Sequence, residues 1–205
     1  RNTEADARAT RRAFLSTTGI TAAVLVLFTA GQSFRVLDPI NLFAPRKNGV
    51  GPQGLPVNRT ARAADVVELA TATDWSLSIV HGSTTRTIGY EELSSMPQHE
   101  AFLPIACVEG WSQYALWRGV RLADLLALVE APGGRDVRVT SLQTNSSYGV
   151  TTMQAEFVSD DLTLVALQLE GEVLDLDHGF PARIIAPARP GVLQTKWLSR
   201  LEVLE

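Results

Sequence analysis

With 205 residues, 45% of them hydrophobic and 20% charged, the chain has room for one ordinary domain with a real core plus an appendage, and it is too apolar to be disordered. The formal charge of -4 is uneven: residues 1–35 hold five arginines against Glu4 and Asp6, or +3, while the remainder holds 13 basic and 20 acidic residues. An acidic main body argues against nucleic acid as a partner, since that binding neutralises phosphates, and a single cysteine rules out an internal disulfide.

Residues 1–12 are polar and charged, without apolar periodicity, and end in Thr10-Arg11-Arg12-Ala13-Phe14-Leu15, which matches the twin-arginine export pattern. From Ala13 to Phe34 no residue is charged, and Arg12 and Arg35 bracket the stretch, richest at Ile20 to Ala30. About 20 such residues cross a hydrocarbon core, so residues 13–34 are predicted as a transmembrane or signal-anchor helix. No A-x-A cleavage site follows it, which favours an uncleaved anchor. The start at Arg1, without a methionine, is read as a piece of a longer product, in which this helix is an anchor or the last span of a larger membrane domain.

Residues 35–63 read as a connector, with Pro39, Pro45, Pro52 and Pro56 interleaved with Gly49, Gly51 and Gly54. Such spacing resists helix and sheet alike. Residues 64–205 read as the globular domain. Trp75 to Val80 alternates as a half-buried strand, with a turn at His81-Gly82. Tyr90 to Ser95 is predicted as a short helix before Pro97, and Phe102 to Ala106 as a strand. Leu122 to Val129 has helical spacing and stops at Ala131-Pro132-Gly133-Gly134, and Val137 to Leu142 alternates as a strand. Asp160-Asp161 suits the capped start of a helix, and Leu162 to Leu169 is predicted as a helix or buried turn. Ala182 to Ala186 and Leu198 to Leu204 close the series as strands. Strands and short helices interleave without a βαβ rhythm, so the class is α+β.

The chemistry concentrates in two places. Cys107 leaves an apolar strand into a turn with Glu109, Gly110 and Trp111, a setting that presents a thiol at a rim, although a lone cysteine is more often a buried structural one. Three basic side chains follow much later, His178, Arg183 and Lys196, each of which alone reads as ordinary surface charge. His178 lies in Asp177-His178-Gly179-Phe180-Pro181, a turn expected to display the imidazole. His81 and His99 have no partner pattern, and zinc-site spacing and a G-x-S-x-G elbow are both absent.

Taken together, CVEGWS at Cys107 to Ser112, the W-x-G-V-x-L-x-D-L-L run from Trp117, HGFPAR at His178 to Arg183 and TKWLSR at Thr195 to Arg200 resemble the sulfite-oxidase family of molybdenum enzymes, which includes bacterial periplasmic methionine-sulfoxide reductase catalytic subunits. The resemblance implies a molybdopterin-binding fold of mixed sheets and short helices. In it the Cys107 thiolate is the single protein ligand of molybdenum, a soft donor suited to a high-valent metal also held by the pyranopterin's dithiolene. It further implies that His178, Arg183 and Lys196 anchor the pterin's phosphate. Asn58 and Arg59 would lie against the pterin, with a turn or helix N-cap at Asn58 as the competing reading.

The implied activity is oxygen-atom transfer to or from a small or protein-bound sulfur or nitrogen oxide, with electrons exchanged with a membrane partner that carries haem. The implied place is the bacterial cell membrane, with the catalytic domain on the periplasmic side. Where the family's sulfite oxidases place an arginine in the first strand, this sequence has Trp75-Ser76, so a sulfoxide-type substrate is at least as well favoured as sulfite. The dimerisation domain of the animal and plant oxidases is also missing from these residues. The alternative is a membrane-tethered binding module that kept the fold but carries no cofactor.

Overall fold

The computed structural model describes residues 3–30, 51–106 and 112–205. The chain divides into two compact units. The described part of the first is helix α1 (Thr3–Ala30), on which Phe14, Leu15 and Ile20 are exposed. Among the described residues no helix is long and apolar enough to cross a membrane, and residues 31–34 of the predicted span lie outside them.

The second unit begins with a strap rather than a strand. Pro52–Gly54 forms a single 3-10 turn, and α2 (Val67–Thr71) is a helix of five residues. Alternation then builds β1 (Ser76–His81), whose Leu77 and Ile79 are buried. It turns at Gly82 into β2 (Thr84–Gly89), and α3 (Tyr90–Ser95) follows directly. A long hairpin, β3 (His99–Ala106) and β4 (Ser112–Arg121), runs into α4 (Leu122–Ala127), which buries Leu122, Leu125 and Leu126. The remainder comprises β5 (Val137–Ser141), β6 (Val150–Met153), α5 (Ala155–Val158), β7 (Leu164–Leu169), β8 (Glu172–Val173), β9 (Arg183–Ile185) and β10 (Leu198–Val203).

These strands form two five-stranded sheets. The first has the order β2-β1-β10-β5-β6, and only its β1–β10 pair is parallel. In the second, β3 pairs β4, β4 pairs β7, and β8 and β9 both pair with β7 at different points along it. One apolar core joins them, drawing Leu77, Ile79, Val139 and Leu201 from the first sheet and Val120, Val165, Leu167 and Ile184 from the second. The α+β class is therefore correct.

Two local expectations are overturned. Residues 162–169 do not form a helix or buried turn but contain β7, an interior strand paired with β4 on one edge and with β8 and β9 on the other. Leu164 to Leu167 are all buried, and an almost unbroken apolar run is the pattern of a strand covered on both faces. Asp160 and Asp161 do not start a helix. They follow α5, and the Asp160 carboxylate accepts the Leu162 N–H at 2.8 Å to form the turn into β7.

Candidate functional site

The β3–β4 register pairs Ala106 with Ser112. Cys107, the predicted metal ligand, and Glu109, Gly110 and Trp111 lie outside the described residues. Beside the hairpin, Gln113 donates to the Gly54 carbonyl at 2.9 Å, which ties the strap to β4. Gln53 completes the attachment: its amide donates to Leu169 O (3.1 Å) and Val173 O (3.0 Å) and accepts from Asp175 N (2.9 Å).

The remaining predicted residues converge from three separate segments. Lys196 lies at the centre, with its Nζ donating to Asn58 Oδ1 at 3.2 Å, Arg59 O at 2.5 Å and Asp177 O at 2.9 Å. The same ammonium sits 4.4 Å from the centroid of Trp197. Arg59 turns the other way and donates to Ala63 O and Asn145 O at 3.1 and 3.2 Å. Asn58 caps no helix; its side-chain oxygen accepts the Arg59 N–H at 2.8 Å as well as the Lys196 ammonium. Asp177 secures the segment by accepting the Ala61 N–H at 2.8 Å.

His178 is not displayed, contrary to the sequence expectation, but is 2% exposed. Its Nε2 lies 2.7 Å from Pro52 O. A carbonyl only accepts, so Nε2 carries the proton and Nδ1 of the neutral ring is left with its lone pair. Burial holds the imidazole pKa down to about 4; the Pro52 bond opposes this, and the charges of Arg183 and Lys196 add to it.

Arg183 is equally buried at 2% exposure. Its guanidinium stacks 4.9 Å from the Trp117 ring and donates to His178 O at 2.9 Å, with longer contacts to Gln194 O and Ile184 O at 3.4 Å. Burial lowers its pKa to about 9, so it stays charged at neutral pH. Among the described residues no carboxylate pairs with it. Gly179 allows the close approach: at φ 114° it occupies a conformation that L side chains rarely adopt, and a Cβ there would meet Arg183 Cβ and Lys196 Cβ at 3.1 Å.

Sequence reasoning missed several contributors. Gln53, Asp177 and Trp117 hold the set in place, yet each reads in isolation as an ordinary turn or core residue; the glycines on either side of Gln53 are the one local signal. On donor chemistry the set fits an anionic group. Two cations and a polar strap meet at one turn, and among the described residues the buried Arg183 has no carboxylate partner.

The model of the oxidoreductase molybdopterin binding domain matches residues 63–205, and the chain belongs to that family. Among individual proteins it is 34% identical to a sulfite oxidase of Arabidopsis thaliana over 105 residues, which is 44% of this chain and 26% of that protein. It is 29% identical to the protein-methionine-sulfoxide reductase catalytic subunit of Ralstonia nicotianae over 133 residues, 58% of this chain and 40% of that protein. The sulfane dehydrogenase SoxCD from Paracoccus pantotrophus shares the fold at a TM-score of 0.57 and 24% identity, over 64% of this chain and 38% of that one. The chain thus spans about a quarter to two fifths of the curated relatives it matches. Family membership implies a molybdenum–molybdopterin cofactor and the class of molybdopterin-dependent oxidoreductases.

Proposed function

We propose that this domain catalyses oxygen-atom transfer to or from a sulfur oxide, with Cys107 as the protein ligand of molybdenum. The bound molybdopterin would supply the two-electron redox chemistry, and the chain would supply ligand, orientation and access. The observation that carries the reading is the convergence on Lys196 of segments that also hold Asn58, Arg59 and Asp177, next to His178 and Arg183. We assign the phosphate-holding charge to Lys196 and Arg183, and contacts along the pterin to Asn58 and Arg59. Arg183 acts from beneath the turn, as a buried positive charge that fixes the His178 and Gln194 carbonyls. His178 joins the strap to that turn through Pro52, and its Nδ1 is the ring atom left for a ligand.

The likeness to a methionine-sulfoxide reductase subunit and to sulfite oxidases supports a sulfur-oxide substrate. The uncharged stretch Ala13 to Phe34 behind Arg11-Arg12 supports a membrane tether and an extracytoplasmic domain, and with them an electron partner in the same membrane. The test is the metal and pterin content of protein purified from a cofactor-competent host. Near-stoichiometric molybdenum is expected in the wild type. In Cys107→Ser, turnover should be lost while the thermal transition is kept. A folded wild type without molybdenum would support the cofactor-free module instead.

A further inference from the structure

Beyond the predicted set, the segment between β9 and β10 buries a second arginine. Arg189 is 2% exposed although its neighbours Ala188 and Pro190 are both exposed, so the side chain turns inward beneath a thin stretch of loop. Its Nη2 donates to Thr152 O of β6 at 3.0 Å, and the guanidinium lies 6.0 Å from the Phe157 ring. Nε and Nη1 are sealed from solvent and have no hydrogen-bond partner among the described residues. Burial lowers the pKa to about 10 and no carboxylate among the described residues contributes, so the charge persists without compensation from them. A buried uncompensated cation is strongly unfavourable and is retained only where something offsets it. Gln194, five residues further along the same loop, donates through Nε2 to Arg189 O at 2.9 Å and leaves its buried Oε1 without a partner among the described residues. Ala188, directly before the arginine, holds φ at 55°, a backbone form that a residue with a side chain adopts at a cost.

We propose that Arg189 is the charged half of a small-oxyanion site formed by the loop from Ala188 to Gln194 and the edge strand β6. The unpaired N–H groups would take the anion's oxygens, and Gln194 Oε1 suits an O–H of a singly protonated oxyanion. The site shares its loop with Thr195, whose hydroxyl lies 3.1 Å from that of Thr151, and with Lys196, so an anion here stands on the element that also carries the proposed pterin anchor. The existence of the site is independent of the molybdopterin reading; only the source of the anion rests on it. That source is either a free sulfur oxyanion or the cofactor's terminal phosphate.

The experiment is calorimetric titration of the full chain with sodium sulfate, against sodium chloride at equal ionic strength. Wild type is expected to bind one sulfate per chain, and Arg189→Gln to bind it at least about tenfold more weakly while melting no lower than wild type without the anion. Should Arg189→Gln fail to fold, Arg189→Lys serves: weakened affinity supports the site and unchanged affinity overturns it. Absence of saturable sulfate binding by wild type purified from a host that makes no pterin, as a water-filled site would give, also overturns it. Pterin content measured on the same proteins from a cofactor-competent host separates the sources. Loss of pterin in Arg189→Gln identifies the phosphate, and full pterin content with lost sulfate affinity identifies a free oxyanion. Missing cofactor in wild type would count against the molybdopterin reading without touching the sulfate result.

Discussion

Replacing His178 by Gln tests the inward-facing imidazole through pH. The buried ring titrates at about 4, below the 6.5 of the unfolded chain, so the fold excludes the proton. Its stabilising contribution is therefore complete above about pH 6.5 and is lost as pH falls toward 4, because the unfolded state then binds the extra proton. At about 1.4 kcal/mol per pH unit, the displacement sets a ceiling of about 3 kcal/mol, with roughly 2 kcal/mol already lost at pH 5. Glutamine keeps an N–H for the Pro52 carbonyl but does not titrate, so all other ionisations cancel in the comparison. Urea unfolding of both proteins between pH 7.5 and 4 should show the wild-type advantage shrinking by that amount toward acid. A gap between the two that stays constant within about 0.5 kcal/mol over this range would refute the neutral, Pro52-bonded histidine.

Gly119→Ala should fail to fold or lose more than about 3 kcal/mol, because a Cβ there would lie 2.1 Å from Val165 O and 2.6 Å from Ala166 Cα, both backbone atoms of the adjoining strand. A melting temperature within about 2 °C of wild type would contradict the close β4–β7 approach. If the stretch behind the arginine pair is a tether, the full chain should remain in the membrane pellet through alkaline carbonate and leave with detergent, whereas a chain lacking residues 1–34 should be soluble; release by carbonate alone would count against the tether.

What could be read from the primary structure follows a physical division. The half-buried strands β1 and β5 announce themselves by alternation, and α3 and α4 by apolar spacing with Pro97 and Pro132 beyond them. β7 does not, since a strand covered on both faces has lost the polar half of its pattern. The residues of the candidate site were named because motif spacing depends on identity alone. Their attitudes were not. His178 and Arg183 turn inward because Gly179 lets the chain fold tightly against Arg183 and Lys196, and because Pro52, more than a hundred residues earlier, offers a carbonyl. Arg189 carried no signal at all: an arginine between Ala188 and Pro190 in a loop looks solvated until its buried donors are seen.

The parallel pairing of β1 with β10 has a bearing on biosynthesis. The central strand of the first sheet leaves the ribosome more than a hundred residues after its neighbour, and Lys196 emerges immediately before it, long after Asn58 and Arg59. Pairings so distant along the chain close late and slowly. A nascent domain therefore cannot grip an anionic prosthetic group while it is being translated, and any insertion must follow or accompany the arrival of that last strand.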